Sequence, residues 1–343
     1  MSGYGRFSLP LASPMETSRG RIDRREGYLV RVGDGPVGVG EATPLAGWTE
    51  GLAACRGAID GTIGELASFE GPDDLGAMAE RPAARHGLEL ALLDRSARAA
   101  GEPLYRHLGG QRRVSTLPVN ATVGDGTVEE TASACAAAAE AGYPAVKVKV
   151  GARGVEADLD RLRAARDAAG EGLELRADAN GAWSRAEADR ALQELSTVGV
   201  SLLEQPLSPE DVEGAAALRG RGVEIGADEA LIARSPAAVL EAGAADVLVL
   251  KPMVLGGPSR AVDGARAAVE AGVGAIVSTT IDAAVARTAA VHVAAALDLD
   301  RPCGLATADR LAGDVGSDPA PVVDGGISVP QGAGHGVGVE ELE

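Results

Sequence analysis

Lysine is nearly absent from this chain: positions 147, 149 and 251 hold the only three, against twenty-nine arginines. Arginine stays protonated in proteins, whereas a lysine ammonium gives up its proton when its surroundings lower its pKa. Three lysines retained in a chain that otherwise avoids them mark a proton-transfer site. Aromatic residues are almost as scarce, with two Phe, two Trp and four Tyr, so the core must be packed from Ala, Val, Leu and Ile. Cys55, Cys135 and Cys303 are widely separated and form no C-x-x-C pair. This excludes a disulfide framework and a thiolate metal site, and makes a reducing cytoplasm the simplest compartment. His86, His107, His292 and His335 show no paired metal spacing and read as surface or core residues. No apolar run reaches membrane-spanning length, and the N-terminus lacks a basic segment followed by an apolar one, so a soluble protein is expected.

Positive charge is short overall. Fifty acidic residues against thirty-two basic ones leave a net charge of −18, a field that repels phosphate backbones and anionic membranes. Nucleic acid and membrane are therefore excluded as partners. The acid-rich, lysine-poor composition suits a halophile's salt-rich cytoplasm, where counterions screen self-repulsion. A genome biased toward Arg, Ala and Gly codons is the competing explanation. A homo-oligomer is compatible with the chain, whose sequence sets no subunit number.

What is present is a repeating pattern. From about residue 115, β-rich runs at 116–122, 145–150, 173–178, 200–204, 223–227, 246–251, 275–279 and 302–305 alternate with alanine-rich helical stretches such as 128–141, 155–169, 184–197 and 258–271. Eight strands with seven intervening helices predict a parallel α/β barrel. Residues 1–110 read as an α+β domain: extended runs at 4–12 and 27–32, a glycine-rich hairpin at 32–38, and helices near 49–67, 73–80 and 83–100. The glycines at 33–40 lack the Gly-Lys-Ser/Thr of a phosphate loop, which favours the hairpin. The barrel is expected over 111–307. The tail, 308–343, contains Gly326-Ile327-Ser328-Val329-Pro330, a run expected to add a strand back onto the first domain.

The chemistry-bearing residues fall at strand ends. In Ala145-Val146-Lys147-Val148-Lys149-Val150 the period of two places both lysines on one face; in a barrel mouth each disfavours the other's charge, lowering a pKa unless carboxylates dominate. Asp178 ends 173–178, with Arg176 and Asn180 on its face; Glu204 ends 200–204; Asp228 ends 223–228; Lys251 ends 246–251. From Lys149 the marked positions follow at intervals of 29, 26, 24 and 23 residues, one βα unit each. The ends of parallel barrel strands converge, and three converging carboxylates call for a divalent cation; all-oxygen ligation favours Mg²⁺ or Mn²⁺ over Zn²⁺. Helix capping and pairing with arginine are the bland alternatives for each acid taken alone.

Lys147-Val148-Lys149, Asp178-Ala179-Asn180, Leu203-Glu204-Gln205-Pro206, Ala227-Asp228-Glu229 and Leu250-Lys251-Pro252, as an ordered set, resemble the enolase superfamily, in the branch that includes muconate lactonising enzymes. The likeness runs over essentially the whole chain, including the helix Gly87–Asp94 and Pro103-Leu104-Tyr105 before Leu108-Gly109-Gly110. It implies an N-terminal capping domain completed by the C-terminal tail, a modified (β/α)₇β barrel, and Mg²⁺ held by Asp178, Glu204 and Asp228. It also implies a small-molecule carboxylate substrate whose enediolate has Lys149 and Lys251 on opposite faces. Lys147 would stabilise charge, and Asn180, Arg176 and Glu229 would stand behind the acids.

Glu41-Ala42-Thr43-Pro44-Leu45-Ala46-Gly47-Trp48-Thr49-Glu50 is similar to the mobile lid of the o-succinylbenzoate synthase family, Ala46 replacing a second proline. Gly47, Trp48 and Thr49 are the expected lid contacts, and Ser278, Thr279 and Thr280 are expected to bind a succinyl carboxylate. The resemblance thus implies a Mg²⁺-dependent syn-dehydratase of menaquinone biosynthesis. N-acylamino acid racemisation or dipeptide epimerisation is the main rival, muconate cycloisomerisation a third enzyme reading, and a non-catalytic metal-binding scaffold the alternative outside enzymes.

Overall fold

The computed structural model describes residues 1–17, 20–76, 78 and 80–339. Two long strands, β1 (Ser2–Thr17) and β2 (Gly20–Val32), pair antiparallel from Ser2↔Val32 to Thr17↔Gly20, and β3 (Gly38–Ala42) adds to the far side of β2. Pro10 is tolerated because β1 is an edge strand. The helix Pro82–Ala100 lies directly on β3. A Cβ at Gly40 would sit 1.9 Å from the Gly87 carbonyl oxygen, so glycine there is a packing requirement. The expected helix at 49–67 forms over Leu52–Thr62. That at 73–80 is only a 3₁₀ turn, Pro72–Leu75, ended by Gly76 at φ +59°; positions 77 and 79 lie outside the described residues.

The run 116–122 divides between two sheets. Its first part, β4 (Thr116–Pro118), belongs to a small antiparallel sheet; its second, β5 (Asn120–Val123), opens a parallel sheet that continues through β6 (Ala145–Lys149), β7 (Glu174–Asp178), β8 (Val200–Glu204), β9 (Glu224–Ala227), β10 (Val247–Leu250) and β11 (Gly274–Val277) in sequence order. The expected eighth strand, 302–305, is reduced to two parallel bridges, Ser278↔Gly304 and Val119↔Cys303, which join β11 to the start of β5 and close the barrel. Helices begin where side chains can take up free N–H groups. Thr127 with Glu130 and Ser184 with Glu187 form capping boxes before Val128–Glu140 and Arg185–Val198.

The aliphatic core joins the parts. One buried cluster runs from Leu90 and Leu93 of the N-terminal helix through Val285, Ala289 and Val291 to Val329 and Val337 of the tail. The helix Ala284–Ala296 is buried on all sides over Ala284–Ala295, as expected for a helix apolar all round. The tail departs from expectation in its pairing. Strands β12 (Val322–Val323) and β13 (Gly326–Ser328) form, but β13 pairs with β4 and not with the β1–β3 sheet. The tail reaches the N-terminal domain through loops: Leu104 N donates to Gly334 O, and His335 N to Asp94 Oδ1, both at 2.8 Å. No described helix is long and apolar enough to cross a membrane.

Candidate active site

Parallel pairing sets the chemistry in rows. Lys149 is the register partner of Asp178, and Asp178 of Glu204, so three side chains stand side by side at one end of β6, β7 and β8. Val146 and Val148 are fully buried on the other face of β6, while both lysines keep some exposure. Asp228 follows β9 directly and Lys251 follows β10, completing the ring.

The lysines and acids are paired. Asp178 Oδ2 lies 2.9 Å from Lys147 Nζ and 2.6 Å from Lys149 Nζ. Lys147 also donates to Glu204 Oε1 at 2.8 Å, and Lys251 donates to both oxygens of Asp228 at 2.7 and 2.5 Å. Burial disfavours every one of these charges, and the neighbours decide the outcome. At Asp178 the two strand lysines outweigh burial and hold the carboxyl far below its usual range. At Glu204 burial and the adjacent Asp178 outweigh Lys147, pushing the carboxyl up to about 7. Burial likewise raises Asp228 against the pull of Lys251. For Lys147, burial acts downward, but Asp178, Glu204 and Asp228 outweigh it and raise the ammonium's pKa. The depression expected from two neighbouring lysines is therefore reversed at Lys147, where carboxylates dominate.

A supporting layer stands behind this ring. Asn180, at φ +45°, accepts from Lys149 Nζ at 2.9 Å and donates to Glu229 Oε1 at 2.8 Å. Arg176, expected beside the acids, is turned away: it pairs with Glu174 and donates to Pro302 O at 2.7 Å, tying β7 to the closing segment. Two residues not foreseen in supporting roles do hold the ring. Gln205 Oε1 accepts from the N–H groups of Asp228 (3.1 Å) and Ala230 (3.0 Å). Buried Arg161 donates to the carbonyl of Lys149 at 2.8 Å. Gln205 lies inside a quoted motif; Arg161 sits in an ordinary helical run with no local signal.

The segment expected to form a lid folds over Lys251. Trp48 N and Thr49 N both donate to Leu45 O, Thr49 Oγ1 accepts from Leu45 N, and Gly47 takes φ +88°. This turn brings the Trp48 ring centroid to 3.7 Å from Lys251 Nζ, a cation–π contact. Across the mouth, Ser278 donates to Gly304 O and Thr280 to Asp282 Oδ1. Thr279, paired with the Thr307 hydroxyl at 3.0 Å, is the member of the trio whose proton can point either way. Of the histidines, expected at the surface or in the core, His86, His292 and His335 are buried and His107 is half-buried beside Glu102.

The donors suit a hard divalent cation. Asp178, Glu204, Asp228 and Glu229 put four buried carboxyls against three ammonium groups, and Glu229 Oε2 is buried without a hydrogen-bond partner. The site is thus short of positive charge, and its free donors are oxygens. As they stand, no three acidic, His or Cys side chains among the described residues are gathered into a ligand set, because lysines hold the carboxylates. Ligation requires these side chains to turn from ammonium to metal.

Comparison with known proteins agrees with this geometry. Residues 130–342 match the model of the enolase C-terminal domain-like family. An L-Ala-D/L-Glu epimerase of Bacillus subtilis is 31% identical over 323 residues, covering 88% of each chain. An o-succinylbenzoate synthase of Thermobifida fusca is 40% identical over 218 residues, 62% of this chain and 67% of its own. A dipeptide epimerase of Enterococcus faecalis, solved with Mg and the dipeptide L-Leu-L-Tyr, superimposes with a TM-score of 0.89 at 25% identity over 98% of both chains. With the barrel, the three strand-end acids and the lysines on either side of them, these likenesses make the chain an enzyme of the enolase superfamily.

Proposed function

We propose that this enzyme is an o-succinylbenzoate synthase, converting 2-succinyl-6-hydroxy-2,4-cyclohexadiene-1-carboxylate to o-succinylbenzoate by syn-dehydration. The observation that carries this reading is the unequal footing of the two lysines. Lys251 is 9% exposed, with both Asp228 oxygens on its ammonium and the Trp48 ring over it. Lys149 has a 34% exposed side chain and hydrogen bonds to Asp178 and Asn180. A deeply buried cation on one face and a more exposed lysine on the other suit chemistry in which one lysine moves protons. Epimerisation needs both faces to exchange a proton. The relatives include both activities: 40% identity with the Thermobifida synthase covers 62% of this chain, and 31% with the Bacillus epimerase covers 88%.

In the proposed sequence Lys149, paired with Asp178 in this structure, must first shed its proton, and as the free amine takes the proton alpha to the ring carboxylate. The electron pair moves into the carboxylate to give an enediolate. Lys149, now an ammonium, returns its proton to the departing hydroxyl on the same face; water leaves and the ring becomes aromatic. Lys147, kept charged by Asp178 and Glu204, supplies positive potential from the adjacent side of β6, and Lys251 supplies it from the opposite face. Mg²⁺, held by Asp178, Glu204 and Asp228, would neutralise the second negative charge of the enediolate. Trp48 and its turn exclude water.

Purified protein with MgCl₂ and the cyclohexadienyl acid should yield o-succinylbenzoate, followed by its aromatic absorbance. Absence of product at both low and high salt refutes the assignment. Deuterium wash-in at the alpha carbon of N-succinylamino acids or dipeptides, with inversion, would assign the enzyme to epimerisation instead.

A further inference from the structure

The helix Ala284–Ala296 begins without a cap of its own, because Ala283 occupies the N-cap position and its methyl group cannot accept a hydrogen bond. Glu41 takes that place from the other end of the chain. Its Oε1 accepts from Ala283 N and its Oε2 from Ala286 N, each at 2.8 Å, and Thr43 Oγ1 donates to Oε1. Glu41 is fully buried and lies on β3, two residues before the root of the lid. A second tie runs beside it. Arg25 of β2, 3% exposed, donates to Thr43 O at 2.9 Å, Pro44 O at 3.1 Å and Ile281 O at 3.1 Å. One guanidinium thus holds two carbonyls of the lid root and one of the turn after β11.

That turn is strained. Ile281 has φ +62°, a left-handed conformation that β-branched residues avoid, and such backbone persists only where its surroundings over-determine it. Asp282 fixes Thr280, on the other side of Ile281, by accepting from Thr280 N at 3.2 Å and Thr280 Oγ1 at 2.5 Å. Thr279, facing Thr307, is part of the same turn.

We propose that Glu41 and Arg25 are positioning residues for substrate recognition, fastening the strained Thr279–Asp282 turn to the lid root so that the carboxylate-reading turn and Trp48 are set as one unit. The identity of the group read there, the substrate's distal carboxylate, rests on the synthase assignment; the mechanical coupling does not.

Glu41→Ala should raise KM for the cyclohexadienyl diacid tenfold or more while kcat stays within about threefold, since the lysines and acids are untouched. It should also speed amide hydrogen exchange in 43–49 and 279–282 together. Adding Ala283→Ser to Glu41→Ala supplies a local cap, and should recover Tm while KM stays high. Arg25→Lys, which keeps the charge and loses the three-carbonyl fork, should raise KM and exchange in the same two segments. KM within twofold of the parent in Glu41→Ala, or restored by Ala283→Ser, would make Glu41 a helix cap and overturn the proposal. If the parent enzyme fails to turn over the diacid, the synthase assignment falls alone. Exchange then decides: acceleration of both segments upholds the coupling, and acceleration confined to 283–287 overturns it.

Discussion

Lys251→Ala removes the cation that Asp228 holds with both oxygens, at 2.7 and 2.5 Å, in a place where the carboxylate is 3% and the ammonium 9% exposed. Deleting one partner of a buried pair costs about 3–5 kcal/mol, because the remaining charge loses its compensation while staying desolvated. At roughly 2 °C per kcal/mol for a chain of this size, Tm without metal should fall by about 6–10 °C. Asp228 can relieve part of this by taking a proton. Burial already raises its pKa, and loss of Lys251 raises it further, so the deficit should shrink as pH is lowered. A divalent cation offers a second route. Saturating MgCl₂ at about a hundredfold excess over Kd contributes about 2.7 kcal/mol. In the parent the cation must displace Lys251 from Asp228, whereas in the variant it meets a free carboxylate. The gap in Tm between parent and variant should therefore narrow by about half on adding Mg²⁺, measured by thermal shift in metal-stripped buffer. A deficit below about 2 °C would show that Asp228 is not left uncompensated; a gap indifferent to Mg²⁺ would remove Asp228 from the proposed ligand set.

The companion substitution Lys149→Ala should behave oppositely: Asp178 keeps Lys147 at 2.9 Å, so Tm should hold, while turnover falls by about 10²–10⁴ with loss of the base. Turnover within tenfold of the parent would show the base misassigned. Trp48→Leu removes the ring over Lys251, an interaction of about 1–2 kcal/mol when desolvated, so kcat/KM should drop about 5- to 30-fold; an unchanged value would make the contact incidental. The pH dependence of stability should carry two opposed slopes. Burial pushes His292 down to about 3, so its contribution is complete above pH 6.5 and declines as pH falls, by about 2 kcal/mol at pH 5. Burial pushes Glu41 up to about 7, with Asp282 adding to it; its contribution is complete below pH 4.5 and is lost as pH rises through 7, by about 3 kcal/mol. Denaturant titrations of His292→Gln should show a shallower loss between pH 6.5 and 5 than the parent, and an identical slope would mean that His292 is not held neutral.

Much of the barrel could be read from the chain because buried parallel strands are short aliphatic runs. Val247–Leu250 and Val200–Glu204 lie inside or match the runs expected for them, and Thr127 and Ser184 announce their helices through capping boxes. The errors fall where a segment's partner is remote. Nothing local in 116–122 says that it serves two sheets, and nothing in 326–330 says that its partner is Thr116–Pro118, two hundred residues away, and not the nearer-looking N-terminal sheet. Arg176 shares a strand face with Asp178, but period two cannot tell which side chains at different depths of a barrel interior will meet. Its guanidinium pairs with Glu174 and Pro302.

By itself, then, the sequence determined the residue types and their spacing: three scarce lysines, three acids one βα unit apart, an aliphatic core and a charge balance hostile to nucleic acid. Those follow from composition and strand periodicity, which are local. Only the tertiary structure decided how the charges are shared. Carboxylates from neighbouring strands raise the pKa of Lys147 where the adjacent lysine alone would lower it, Trp48 reaches Lys251 across two hundred residues, and Glu41 caps a helix 242 positions away. Electrostatic and hydrogen-bond energies depend on distance and burial in space, and neither is written along the chain.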